Sequence, residues 1–175
     1  MNSQTELVLT LPDSLGLEIA QLSRARTTLG ALVQLIAQSN EEVIISAPYI
    51  REDIIGYGVL QSALENAVSR RNIDISIITT GETIERFNSI PWIMNNRSRV
   101  HLFRPKSNVE FEPNIGSHAK FCIADKKIAY IGSANFTYLG LHKHLEMGVL
   151  VYDEIANQVY DFWNLLIREE FLVEN

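Results

Sequence analysis

Only one cysteine occurs in the 175 residues, so no disulfide can form within the chain, and packing must hold its core. Cys122 sits in the middle of an apolar run and reads as a packing residue rather than a redox centre. No apolar stretch approaches the ~20 residues needed to span a bilayer, which excludes a membrane-spanning helix. Met1-Asn2-Ser3-Gln4 lacks the basic region followed by an apolar one that marks an export signal. The expected compartment is therefore the cytoplasm, with no membrane association. There is no internal repeat and no low-complexity linker. The length fits one domain over 1–175, with 1–40 forming an N-terminal arm and helices that pack on it. An apolar content of 46% and a mean hydropathy of +0.02 suit a globular chain.

A net charge of −6 argues against a uniformly basic nucleic-acid binder, but the charge is unevenly spread. Between Pro91 and Leu145 eight basic residues stand against three acidic ones, a net +5 that leaves −11 elsewhere. All four histidines fall in the same window. The asymmetry fits either a local anionic partner on an acidic body or ordinary solvated surface.

Hydrophobic spacing sketches the elements. Thr5 to Leu11 alternates weakly, as a short leading strand or a disordered arm. Pro12-Asp13-Ser14 opens a helical stretch with Leu15, Ile19 and Leu22 on one side. Thr27 or Thr28 caps the next helix, whose stripe is Leu29, Leu32, Val33 and Ile36. Both stripes are read as core or dimer surface. Glu42 to Ala47 is a buried-type strand stopped by Pro48. Tyr57 to Arg71 is a helix, Ile73 to Thr79 a strand, and Thr83 to Asn95 a helix that Pro91 can split. Arg99 to Phe103 is a short strand. Pro105 to Gly116 has no periodicity and reads as a loop, a candidate lid or groove wall. Phe136 to His144 is a second loop, Leu145 to Tyr152 a strand, and Ile155 to Phe171 a closing helix. That helix is expected to be amphipathic, with Ile155, Val159, Phe162, Trp163 and Leu166 on one side. Strands alternating with helices imply an α/β sandwich with a mixed, largely parallel sheet flanked by helices.

The chemistry is concentrated between Ser117 and Asn135. His118, Lys120 and Cys122 alternate with Ala119, Phe121 and Ile123, so each trio shares one face of a strand. Asp125-Lys126-Lys127 supplies a turn, and Ile128 to Ile131 returns as a second strand ending in Gly132-Ser133-Ala134-Asn135. The hairpin brings Ser133 and Asn135 back beside His118 and Lys120. An imidazole can attack phosphorus or move a proton near neutral pH. An ammonium, a hydroxyl and an amide can hold phosphate oxygens as charge gathers on them. His142 and His144 lie in a loop without a carboxylate cluster, so no metal site is expected.

The run matches His-x-Lys-x4-Asp-x6-Gly-Ser-x-Asn at every specified position, and so resembles the phospholipase D superfamily. The resemblance implies the family's α/β sandwich and a phosphodiesterase that needs no cofactor. It makes His118 the nucleophile or acid, Lys120 and Asn135 phosphate ligands, and Ser133 a further site hydroxyl. Glu146, shortly after the Gly-Ser-x-Asn loop, matches the carboxylate that orients the imidazole. Asp125 and Gly132 are then structural, while Tyr49, at the end of its strand, and Lys143 are candidates for binding substrate. The family builds one site from two motifs, and short chains with a single motif pair as homodimers. One motif here implies a homodimer with both His118 residues at one site.

Single-motif members include endonucleases, which makes DNA or RNA the expected partner. Gly132 to Leu141 with Leu145 to Val151 also resembles phospholipase-D-like proteins of DISARM-type anti-phage systems. That likeness implies an alternative, a nucleic-acid-binding subunit of a defence complex whose cleavage is dormant or partner-dependent. A phospholipase or phosphatidyl transferase is a third reading.

Overall fold

The computed structural model describes residues 5–106 and 117–175. The chain enters as strand β1 (Thr5–Thr10), passes a 3-10 turn (Asp13–Leu15) and helix α1 (Gly16–Ser23), and makes the two-residue strand β2 (Arg26–Thr27). Helix α2 (Thr28–Gln38) follows, capped by Thr27, whose Oγ1 accepts from Gly30 N–H at 3.2 Å. Strand β3 (Glu42–Ser46), helices α3 (Glu52–Ile55) and α4 (Gly58–Arg71), and strand β4 (Asp74–Ile78) come next. Helices α5 (Gly81–Phe87) and α6 (Pro91–Asn95) are split at Pro91, whose missing N–H is harmless in a first turn. Strand β5 (Val100–Pro105), hairpin β6 (Phe121–Ala124) and β7 (Ile128–Gly132), helix α7 (Tyr138–His142), strand β8 (Glu146–Tyr152), helix α8 (Glu154–Arg168) and strand β9 (Leu172–Glu174) complete the order.

The nine strands form one mixed sheet in the order β2-β1-β8-β7-β6-β3-β4-β5-β9. The expectation of a largely parallel sheet is corrected. Among the described residues five neighbouring pairs run antiparallel and three parallel. Parallel pairing needs a long crossover, which α3–α4 and α5–α6 supply between β3, β4 and β5. The three-residue connection between β6 and β7 allows only an antiparallel pair.

Alternation along the strands splits the core into two layers. Val43, Ile45, Ile75, Ile77, Cys122, Tyr130 and Leu150 face α2 and α4. Ile44, Ile78, Phe103, Ile123, Ala129 and Val151 face α8, where Trp163 meets the Phe103 ring edge-on at 5.0 Å between centroids. Helices thus flank the sheet on both faces.

Several sequence expectations change in detail. Thr5 to Thr10 is a strand, not an arm, because all six residues register against β8. Leu15, Ile19 and Leu22 are exposed, so they are not core, and Phe162 points outward at 58% exposure. The loop after Asn135 contains α7, started by Thr137 Oγ1 accepting from Gly140 N–H at 3.0 Å. The candidate lid over Pro105 to Gly116 lies outside the described residues beyond Lys106.

Candidate active site

The hairpin that carries the motif turns through Asp125 and Lys126, both at positive φ (52° and 60°), with Lys127 N–H donating to Ala124 O at 3.0 Å. Two successive positive φ angles match the strand twist that a tight hairpin needs. Side chains hold this strained turn from both sides. Lys126 Nζ sits 4.3 Å from the centre of the Tyr160 ring on α8. The Asp125 carboxylate accepts from the N–H groups of Asn40, Glu41 and Glu42 at 2.7–3.1 Å. Burial pushes the Asp125 pKa up, but the Glu41, Glu42 and Asn40 donors outweigh it and hold the value below the ordinary one. Asp125 therefore ties the hairpin to the start of β3, at the opposite end from His118.

At the other end, Ser117 to Lys120 precede β6 without being strand themselves, although Gly132 N–H still donates to Lys120 O at 3.1 Å. Ser46 Oγ donates to Ala119 O at 3.2 Å, fixing this entry segment against β3. Lys120 is 7% exposed, and its Nζ lies 2.8 Å from His118 O and 3.1 Å from His118 Nδ1. With Lys120 charged, Nδ1 accepts, and a neutral ring then carries its proton on Nε2. Burial lowers the Lys120 pKa, while the Glu146 charge partly raises it again. His118 itself is exposed.

Ser133 follows β7, and its N–H donates to Met147 O at 2.9 Å. Its Oγ accepts from Met147 N–H at 3.1 Å and donates in a short hydrogen bond to Glu146 Oε2. Glu146 is thus bonded to Ser133 rather than to His118, and His144 Nδ1 stands 3.8 Å from its other oxygen. Asn135 Oδ1 is buried with no hydrogen-bond partner in the structure. A buried, unpaired acceptor of this kind is costly, and its cost is tolerated where a ligand or a rearranged neighbour supplies the donor.

Residues that the sequence did not single out shape this loop. The buried Tyr130 ring lies across Gly132 and Gly148, where any Cβ would collide with it. Burial pushes the Tyr130 phenol up to about 12, so it stays neutral. Gly140 of α7 packs against the Asn135 backbone, which again leaves no room for a Cβ. The glycines at 132, 140 and 148 were visible in the sequence, but the ring and carbonyl that demand them were not.

Tyr49 is 61% exposed and adjoins Ile50, which bridges to Phe136, while Arg51 N–H donates to Phe136 O at 2.9 Å. Tyr49 therefore precedes the point where this segment meets the chain just after Asn135. Lys143 is drawn away into an ion pair with Asp13, a bond that raises its pKa. His142 stacks on Tyr138 at 4.9 Å, and no cluster of three metal-ligating side chains occurs among the described residues. Cys122 is wholly buried, and burial pushes its thiol far up, which leaves no thiolate for chemistry.

The arrangement puts an exposed imidazole beside a buried ammonium, with a serine, a carboxylate and an amide on the neighbouring strand ends. A family model described as "Cardiolipin synthase, PLD-like domain" matches residues 32–165, a span that holds the whole constellation. The chain belongs to the phospholipase D-like family. Among its relatives, the DISARM protein DrmC of Bacillus paralicheniformis is 24% identical over 149 residues, 85% of this chain and 57% of DrmC. The chain therefore spans little more than half of that protein. Among solved structures, the phospholipase D family member Nuc from Salmonella typhimurium superposes with a TM-score of 0.68 at 16% identity, covering 99% of both chains. NucT from Helicobacter pylori does so with a TM-score of 0.66 at 20% identity, covering 98% of this chain and all of NucT. These likenesses extend the shared fold to the N-terminal strands outside the matched span.

Proposed function

We propose that this phospholipase D-like chain is a metal-independent phosphodiesterase acting on DNA or RNA, through a phosphohistidine at a site shared by two copies. The observation that carries the reading is the contact between His118 and the buried Lys120 beside the Ser133–Asn135 strand end. His118 Nε2 of one copy attacks phosphorus and the P–O bond to the leaving group breaks. The departing oxygen takes a proton from His118 of the second copy. That second imidazole then removes a proton from water, the new hydroxide attacks phosphorus, and the P–N bond breaks. Attack by Nε2 requires the proton on Nδ1, so in the reacting complex Glu146 exchanges Ser133 for the Nδ1–H, as orienting carboxylates do in triads. Lys120, the Asn135 amide N–H and the Ser133 hydroxyl, once freed from Glu146, donate to the non-bridging oxygens. Tyr49 forms part of the rim, and Lys143 joins it once released from Asp13.

The net +5 of residues 91–145, which include His118, Lys120, Ser133 and Asn135, favours a polyanion over a single headgroup. The likeness to DrmC supports a second reading, in which the chain binds nucleic acid within a defence complex and cleaves only with partners. The family description names a lipid enzyme, and lipid turnover is the third. The deciding experiment incubates purified protein with plasmid DNA, RNA and phosphatidylcholine vesicles in excess EDTA. Nucleic acid should be cut and His118→Ala should be inert with an unchanged circular dichroism spectrum. Turnover that survives His118→Ala, or that needs an added divalent ion, would sink the proposal. Binding without turnover would favour the second reading, and vesicle hydrolysis the third.

A further inference from the structure

Among the described residues two buried side-chain polar atoms lack a hydrogen-bond partner, Tyr130 Oη and Asn135 Oδ1, and both lie between β7 and the motif loop. They are opposite in kind. Burial pushes the phenol up to about 12, so at neutral pH it keeps a proton to donate. The Asn135 oxygen can only accept. A donor without an acceptor thus stands five residues along the chain from an acceptor without a donor. The Ala134 backbone and the Thr28 hydroxyl lie beside the phenol oxygen and favour negative charge on it, so they act on the oxygen and not on its proton. Thr28 is itself turned to the task, because its Oγ1 accepts from Thr10 Oγ1 at 2.8 Å and its own proton is left over. Ala134 immediately precedes Asn135, so the phenol reaches the loop where the amide emerges. The surrounding parts are fixed. The Tyr130 ring is wedged against Gly132 and Gly148, and Gly140 packs on the Asn135 backbone. Phe136 O, one residue on, accepts from Arg51 N–H at 2.9 Å. What stays free to turn is the Asn135 side chain and the phenol O–H. A buried hydroxyl that donates to nothing destabilises a fold relative to phenylalanine, which fills the same space without it.

We infer that Tyr130 is the positioning residue of Asn135: when a phosphate enters the site, the amide turns and its Oδ1 accepts from the Tyr130 hydroxyl. The amide is then held with Nδ2 toward the phosphate and its oxygen away from it. That orientation decides the sign of the contact, because an amide presented oxygen-first repels an anion. The inference rests on the phosphate-binding role given to Asn135 above. It adds the group that sets which end of the amide the substrate meets.

Tyr130→Phe tests this, since it deletes one hydroxyl and leaves the ring against both glycines. The free variant should melt at or above the wild-type temperature, because an unpaired buried donor is gone. Vanadate, titrated calorimetrically as a phosphate mimic, should nevertheless bind about ten-fold more weakly, the effect of one hydrogen bond made only in the occupied site. Nucleic-acid cleavage should fall by about the same factor in kcat/KM. In an Asn135→Ala background, Tyr130→Phe should weaken vanadate no further, because its partner is absent. A variant that melts lower makes the hydroxyl structural and overturns the inference. So does unchanged vanadate affinity, or a full further loss in the Asn135→Ala background. If vanadate affinity is unchanged while cleavage still depends on His118, the phosphodiesterase reading stands and this inference fails. If the wild type cuts no substrate but binds vanadate about ten-fold more tightly than Tyr130→Phe, the reverse is true. A wild type that neither cuts nor binds overturns both.

Discussion

Burial of Lys120 lowers the pH up to which the site would keep its charge. Its ammonium is held under the rim by His118 O, and burial lowers its pKa while Glu146 opposes the shift. On the proposed mechanism the charged form is the one that binds phosphate, so activity should fall as pH rises through this pKa. Because the shift is downward, the alkaline limb should begin below the ordinary lysine value of about 10.4. Lys120→Arg keeps a charge that does not titrate and should remove that limb, with whatever loss of rate the altered geometry brings. Lys120→Ala should lose transition-state stabilisation of roughly 3 kcal/mol, comparable with a lost oxyanion donor. A pH–rate profile over the alkaline range, compared between wild type and Lys120→Arg, checks the assignment. An unchanged limb would assign it to another group.

At the scale of elements, the β6–β7 hairpin has its chemistry at one end and its anchor at the other. Two residues at positive φ are sustained there by the Lys126–Tyr160 contact and the Asp125 grip on residues 40–42. Asp125→Ala strips three backbone donors of a charged acceptor and should cost about 3 kcal/mol. The sign of its pH dependence follows from its depressed folded pKa. In the unfolded chain Asp125 titrates near 3.9, so its contribution is complete above that value. It is lost as pH falls through the lower folded value, because the folded state must then take up the proton it resisted. Asp125→Asn should therefore be less stable at neutral pH and flatter along its acid limb. Denaturant titrations at several pH values measure both, and parallel curves for wild type and variant would refute the linkage.

For the whole molecule, the arithmetic of the mechanism governs. One chain offers a single motif imidazole, whereas a phosphohistidine cycle uses a nucleophile and a separate acid. His142 is committed to Tyr138, and His144 stands by Glu146, so neither has a lysine and an amide of its own. Two copies joined by a peptide linker, one carrying His118→Ala, should lose nearly all turnover although one nucleophile remains. Quantitation of the trapped intermediate under alkaline conditions, where the acid-labile P–N bond survives, should give one phosphohistidine per wild-type dimer. Full activity of the half-mutant dimer would show that each chain works alone.

The family was legible in the sequence because its motif sets residue types at fixed spacing along a strand and its turn. His118, Lys120, Ser133 and Asn135 could be gathered to one place from alternation and a hairpin signal alone. The helices were legible where capping was local, as at Thr27, and the break at Pro91 followed from one missing donor. What only the tertiary structure decided depends on contacts between residues far apart in the chain, which leave no period to read. Strand β9 exists because Leu172–Glu174 finds the free edge of β5. Phe162 has the spacing of a core residue, but the sheet beneath α8 is already filled by Ala156, Trp163 and their neighbours. Glycine at 132 and 148 became necessary only when the Tyr130 ring came to lie across both strands. Glu146 was identified by its place after the loop, while its hold on Ser133 is set by the register of β7 against β8.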